Sequence, residues 1–540
     1  MPYLPPRAAL PTHEVTNQPP ARGDLDLWAE DPALRDHAAA AGADARHLAG
    51  YGARIGTARM REAGRAANRH PPELLLFDAG GRRLDEVRFH PAWHDLMRAG
   101  VEAGYAALPW EGRPGGHATH AAMVYLTSQV EPGVCCPMTM TYAAVPVLGA
   151  DPGLAAAWRP KLTARVHDPS VAPLDRKAAA TMGMAMTEKQ GGSDLRANAT
   201  TAEPDGDMWR LTGHKWFCSA PMSDGFLTLA RAPGGLSCFL VPRWLAEGRN
   251  AIHIQRLKDK LGNRANASAE IEYAGARAHL LGDEGAGVAT IIEMVHHTRL
   301  DTAMAPAGLM RAALGEAAHW ARHRSAFQKR LIDQPLMRAV LADLALDWEA
   351  TLALGLRVAR AFDRAGAGEH AFARLAVALA KYLGNRLCPA VVFEAMEAMG
   401  GMGYVEDTAL PMLYREAPLN AIWEGSGNVI CLDVLRTLRK APKAGEALAV
   451  ELRAAGGADR RFDAALTAHM TRWPHLPEEP QARWYVESLA TLLSAAVLIT
   501  EAPAAVADAY VGTRLAGERG RSAGAVGAME TGAILARLGV

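Results

Sequence analysis

Apolar residues recur at helical spacing over three stretches of the chain and give way to short strand-like runs between the first two. From about residue 46 to 180, runs such as ARHLAGYGARIGTARMREAGRAANRH and HATHAAMVYLTSQV place apolar positions on one face and polar or basic ones on the other. That pattern predicts amphipathic helices. From about 181 to 282 the character changes. DMWRLTGHKWFCSA, DGFLTLARA, GLSCFLVPR, AIHIQRL and ASAEIEYA are short, rich in β-formers and separated by Gly, Asp, Asn and Pro. They predict an antiparallel β domain. From about 283 to 438 long Ala/Leu-rich helices return, each with an apolar stripe suited to a bundle. A KAPKAGE break then precedes residues 439–540, which read as further helices with a Gly/Ala-rich tail.

Residues 1–45 stand apart. THEVTNQPP and its neighbours carry too many prolines for a helix, so the segment reads as an extended arm. Leu25, Leu27 and Trp28 at its end imply a surface to dock on, its own or another subunit's.

Composition narrows the function. The chain has 540 residues, enough for two to four domains, and 58 basic residues balance 58 acidic ones. That balance advertises no nucleic acid, membrane or strongly charged partner. Cys135, Cys136, Cys218, Cys238, Cys388 and Cys431 show no CxxC pair and no metal spacing, so neither a zinc site nor a disulfide framework is expected. This usage fits a reducing cytoplasm. The N-terminus lacks the apolar core of a secretory signal, and the late apolar run Leu489 to Ile499 is too short to span a bilayer. No Walker loop, HExxH, GxSxG or GxGxxG occurs, and GGMG at Gly400 follows a helix, so it is no dinucleotide turn.

Candidate chemistry concentrates in MAMTEKQGGSD, Met184 to Asp194. An apolar run stops at Thr187, and a hydroxyl, carboxylates and the pair Gly191–Gly192 follow. Such a loop admits close approach by a ligand, and Ser193 offers an anion a hydroxyl and an amide. By composition alone it reads as an ordinary strand-end turn. Position by position, however, Ala185 to Ala197 resembles a signature loop of the acyl-CoA dehydrogenase flavoproteins. GHKWFCSAP (Gly213 to Pro221), KLGNRANASAEIEY (Lys260 to Tyr273), ARHRSAFQKRLIDQP (Ala321 to Pro335) and EAMEAMGGMGYVED (Glu394 to Asp407) resemble further motifs of that family, in its order. The resemblance covers roughly residues 75 to 440. THEVTNQPP, TEKQGGSD, LYREAPLNAIWEGSGNVICLDVLR and the extra C-terminal helices are similar to its AidB branch, isovaleryl-CoA-dehydrogenase-like proteins of the alkylation response.

The resemblance implies a mainly α fold: a helical domain, a central antiparallel β domain, a helical bundle and an extra C-terminal helical domain. It also implies FAD as cofactor, an acyl-CoA substrate such as isovaleryl-CoA, and a homotetramer. Met184, Met186, Thr187, Ser193, Trp216 and Cys218 match flavin contacts. Arg324, Phe327 and Gln334 match residues donated to a neighbour's cofactor, and Glu397, Gly400 and Gly401 match positions along a neighbouring pyrophosphate. Trp423, Ser426 and Asn428 match further cofactor contacts around Glu424, which matches the catalytic base; Arg299 matches an arginine near the active site and is a second catalytic candidate, with a structural ion pair as its bland alternative. A carboxylate among apolar neighbours is strengthened as a base for an α-proton. Departures from the family pattern are Cys218 for Thr, Gln328 for Gly, Glu397 for Gln and Met412 for Lys. The branch also implies a second reading, a protective flavoprotein that binds double-stranded DNA without sequence preference and whose dehydrogenation is vestigial.

Overall fold

Ala/Leu-rich periodicity builds the three longest helices, Gly287–His323, Pro335–Asp363 and Ala367–Ala398, in the computed structural model, which describes residues 6–539. Residues 1–5 of the expected arm and residue 540 lie outside the described residues. The three helices pack on one another and share one apolar core with the N-terminal helices, notably Gly116–Ser128.

The middle of the chain folds as one seven-stranded sheet. Its order is Ile252–Leu257, Ser268–Leu281, Met208–Ser219, Thr201–Asp205, Gly225–Ala232 and Met182–Ala185. Gly235–Pro242 bonds to both Ser268–Leu281 and Gly225–Ala232, so five strands close on themselves in the manner of a small barrel, which removes exposed edges. The ladders are antiparallel, except that Met182–Ala185 and Thr201 run parallel to Gly225–Ala232. This is a mainly α fold with a central β domain and additional helices at its C-terminal end.

Two details depart from the sequence reading. A two-stranded hairpin, Glu73–Phe77 with Arg83–Arg88, interrupts the expected all-helical region. The run LLLF and the turn DAGGRR carry a strand–turn–strand signal that the flanking helices obscure. The expected arm also contains a helix, Pro32–Ala41, started by the Asp31 carboxylate capping Leu34 and by Pro32 in its first turn. Residues 17–22 of the arm dock on their own chain. Asn17 exchanges hydrogen bonds with the backbone of Ser325, Arg22 pairs with Glu316, and the Pro20 carbonyl meets His319.

The C-terminal helices are pinned back by buried arginines. Arg514 reaches Asp343 and Asp347 on the 335–363 helix. Arg537 joins Glu349 of that helix, at 2.8 Å, to Asp36 of the N-terminal helix, and His37 also reaches Glu349. Three helical stretches, 132–150, 367–398 and 479–501, are long and apolar enough to cross a membrane by length and composition. The last contains the run judged too short from sequence. In each, most of the apolar window is buried inside the fold, so packing accounts for the apolarity.

Candidate active site

Glu424 sits in a turn that only its neighbours can hold. The chain leaves the short turn Leu419–Ala421 and enters the helix Gly427–Lys440 through Glu424 at φ +57° and Gly425 at φ +97°. A left-handed non-glycine residue costs about 1–2 kcal/mol. Three cross-links impose it. The Lys381 ammonium donates to the carbonyls of Asn420 (2.9 Å) and Gly425 (2.8 Å). Arg299 Nε donates to the Glu424 carbonyl at 3.3 Å. The Trp423 indole donates to Asn420 Oδ1 at 2.6 Å.

The carboxylate itself has one protein partner, Thr298 Oγ1, at 2.7 Å from Oε2. Burial pushes its pKa above the ordinary carboxylate range, against the pull of Thr298, Lys381 and Arg299. Thr298 Oγ1 also lies 3.1 Å from the Val295 carbonyl. The hydroxyl can therefore donate to an ionised Glu424, or accept from a protonated one while donating to Val295, so it suits both states of a base.

Arg299, expected among the catalytic residues, is a positioning group here. Its Nη1 is 2.6 Å from Asp433 Oδ2, and Arg374 shares the same carboxylate. It meets Glu424 through the carbonyl, not the carboxylate. Lys381 was missed by sequence reasoning, although a lone lysine inside ALAKYLG calls for a partner. Burial with no carboxylate in salt-bridge reach lowers its pKa to about 7.

The glycine-rich loop lies at the end of the strand Met182–Ala185. Glu188 is its pin: buried, 2.8 Å from Lys215, and accepting from the N–H groups of Ala199 and Thr200. Burial opposes its charge, but Lys215 and these donors hold its pKa down to about 2. A Cβ on Gly192 would stand 2.2 Å from Thr187 Oγ1, so that approach is open to glycine alone. Trp216 binds the Thr187 carbonyl by its backbone N–H, and its ring carries Lys258 Nζ at 3.3 Å. Met184, Met186 and Thr187 are half-buried, and Ser193 is exposed. Cys218 is fully enclosed in the sheet core with Phe226 and Ala269, unlike its half-buried neighbour Trp216.

The remaining site residues lie at the surface of this chain. Phe327 lies in the turn of a small hairpin, Ser325–Ala326 with Lys329–Arg330, which holds Phe327 and Gln328 at positive φ; Arg324 precedes it, and Gln334, before the 335–363 helix, donates to the Ala326 carbonyl. Phe327 is 94% exposed. Glu397, Gly400 and Gly401 end the 367–398 helix and are exposed, beside the exposed side chains of Phe393, Tyr404 and Tyr414. Trp423 and Ser426 are half-buried, and Asn428 accepts from Arg483 of the C-terminal helices. The open loop at Gly192, the half-exposed Trp216 and the exposed hydroxyl of Ser193 fit a ring-and-phosphate cofactor such as FAD. Cys218 does not add to that surface. Among the described residues no group of three His, Cys, Asp or Glu converges as metal ligands do.

Comparison with known proteins accords with this geometry. Three family models match in order: the adaptive response protein AidB N-terminal domain over residues 17–169, the acyl-CoA dehydrogenase middle domain over 183–276, and the acyl-CoA dehydrogenase C-terminal domain over 285–439. AidB of Escherichia coli (strain K12) is 48% identical over 464 residues, 84% of this chain and 86% of that protein. Acyl-CoA dehydrogenase family member 11 of Caenorhabditis elegans is 36% identical over 414 residues, 73% of this chain and 66% of that protein. The crystal structure of C. elegans ACDH-11 in complex with C11-CoA superposes with a TM-score of 0.81 at 28% identity, over 93% of each chain. The Bd2924 apo-form gives 0.82 at 30% identity, over 90% of this chain and 99% of the other.

Proposed function

The chain belongs to the acyl-CoA dehydrogenase family, whose cofactor is FAD, and on that premise we propose that Glu424 is the base that takes the α-proton of an acyl-CoA thioester. The bound flavin supplies the acceptor for the β-hydride, so the thioester loses a proton and a hydride and gains a Cα–Cβ double bond. Every other contribution comes from the chain. Lys381 and Arg299 hold the turn by its carbonyls and leave the carboxylate free to aim. Thr298 keeps that carboxylate oriented before and after it accepts the proton. Burial raises its basicity.

The observation that carries the reading is the half-buried Glu424 carboxylate, which has a single hydroxyl partner among the described residues and sits in a strained turn. The similarity to a protein solved with C11-CoA supports an acyl-CoA substrate. Short branched chains such as isovaleryl-CoA belong to the same proposal. Anaerobic titration with an acyl-CoA panel, from isovaleryl- to undecanoyl-CoA, tests it by flavin bleaching. Glu424→Gln keeps the flavin and loses the bleaching. A variant that bleaches as fast as the parent assigns the proton transfer to another group.

The reading extends to assembly. The exposed Phe327 hairpin and the apolar surface around Phe393, Tyr404 and Tyr414 support a homotetramer in which neighbours complete each other's FAD site. Sedimentation that finds a flavin-loaded monomer refutes this. A second reading, binding of double-stranded DNA without sequence preference, is supported by the match to the adaptive-response domain. Its signature is affinity that falls steeply with salt; no affinity at low salt removes it.

A further inference from the structure

A separate cavity of about 300 Å³ lies across the helix Cys135–Val147 from Glu424. Its walls come from the hairpin 73–88, the helix Pro91–Glu102, the segment 162–181 and the turn 220–224 of the β domain. On the 135–147 helix, Pro137, Met138 and Thr141 line it, whereas Cys136 is turned to Ser219 and Asn266 and feels the charge of Glu424. Neither Glu424, Thr298 nor Trp216 lines it.

The cavity has a consistent chemistry. Phe89 and Trp93, stacked with centroids 3.9 Å apart, form an apolar wall with Met97 and Met138. At the rim, Val166 and Val171 are 49% and 39% exposed. At the β-domain end two donors lack acceptors. Ser223 is 2% exposed and its hydroxyl has no partner, and Nη2 of Arg243 is buried without one while Nη1 donates to the Met222 carbonyl. The adjacent Asp224 does not serve them: one oxygen takes Lys177 at 2.8 Å and the other the Thr181 N–H. Unpaired buried donors beside an apolar slot suit a ligand that brings acceptor oxygens and an alkyl chain. An arginine favours a carboxylate in that role. The volume is at the lower end of the roughly 300–1,000 Å³ typical of small-molecule sites, too small for a coenzyme A headgroup as well.

We propose that this cavity binds a free medium-chain monocarboxylate, its chain against Trp93, Met97 and Met138 and its carboxylate accepting from Ser223 and Arg243. The site joins the N-terminal helical domain to the β domain, so its occupant bridges the two.

Calorimetric titration of the FAD-loaded protein with decanoate tests this, with decanol and decanoyl-CoA as comparators. Decanoate binds once per chain, and decanol at least about tenfold more weakly, the loss expected when a charged hydrogen bond is missing. Ser223→Ala and Arg243→Gln each weaken decanoate about tenfold or more. Val166→Glu, at an exposed position that leaves the fold intact, also weakens it without changing flavin content. Glu424→Gln binds decanoate as the parent does. Absence of decanoate binding, equal affinity for decanol, or unchanged affinity in all three pocket variants overturns the proposal. Displacement of decanoate by saturating decanoyl-CoA also overturns it, by making the cavity an extension of the thioester site.

Discussion

Replacing Thr298 by valine removes the only hydrogen bond that the described residues make to the Glu424 carboxylate, and little else. Thr298 is 2% exposed, and valine fills the same volume, so the helix and its packing stay. The lost bond, 2.7 Å long, is of the kind that stabilises an ionised acceptor by about 1.5–3 kcal/mol. Burial already lifts Glu424 above its ordinary value, and Thr298 is the first of the groups that pull it back. Its removal lifts the carboxylate further, because the bond to the charged form that is lost is stronger than the one to the protonated form. The acidic limb of flavin reduction therefore moves to higher pH, and at a pH on that limb the rate falls by about ten- to a hundredfold. Above the limb the rate stays near the parent's. Stopped-flow bleaching at saturating acyl-CoA across pH measures both regions. Stability gives an independent reading. A carboxyl whose folded pKa is raised costs stability as pH climbs past its unfolded value of about 4.5, so Thr298→Val is destabilising at neutral pH and neutral below that value. A limb that stays in place, or a profile lowered equally at every pH, refutes the assignment of Thr298 to the carboxylate of a working base.

Other perturbations follow from the same geometry. Arg537→Ala leaves Glu349 buried without its guanidinium and lowers stability by about 3–5 kcal/mol in urea denaturation. Glu349 is held below its ordinary value by His37 and Arg537, so the contribution is present above that value and lost as pH falls through the depressed one; the gap between parent and variant closes in acid. Lys215→Met strands Glu188 beneath the glycine-rich loop and releases flavin on dilution, seen by fluorescence, while adding Glu188→Leu restores retention; release that the second change fails to reverse refutes the pin. Gln328→Gly relieves a side chain at φ +67° and raises stability by about 1 kcal/mol; a fall in melting temperature shows that Gln328 makes a contact worth more than the strain.

Periodicity was enough to read the bundle and the β domain because each repeats its apolar pattern at length: the 29-residue 335–363 helix buries apolar side chains from Leu341 to Ala361. The hairpin at Glu73 was obscured because five residues bounded by long helices contribute little pattern of their own. Closure of the barrel was invisible for a different reason. Gly235–Pro242 makes two sets of backbone bonds, and backbone pairing leaves no mark on side-chain alternation. At the site, the family resemblance picked out residues one motif at a time and named Glu424 and Arg299. It did not reveal that Arg299 spends its charge on Asp433, because that partner lies 134 residues away and shares no motif with it. Lys381 sits in a helix that reads as pure core, and only the fold shows what its ammonium touches.

That division of labour explains how a carboxylate stays reactive beside two cations. An ion pair of Glu424 with Arg299 or Lys381 would fix the carboxylate in its charged form and depress its basicity. Here both cations face carbonyl oxygens on the turn, at Asn420, Glu424 and Gly425. They hold the backbone in a conformation that L-residues avoid, and the strain is borne by the surrounding helices. The carboxylate is left with a single hydroxyl that serves either protonation state. Asp433 completes the arrangement by pairing with Arg299 and Arg374, so the Arg299 charge reaches the proposed base only in part. The backbone is fixed by charge and the base is tuned by burial. Such a site loses turnover through Lys381 or Asp433 by letting the turn relax, and through Thr298 by changing only when the base is ready.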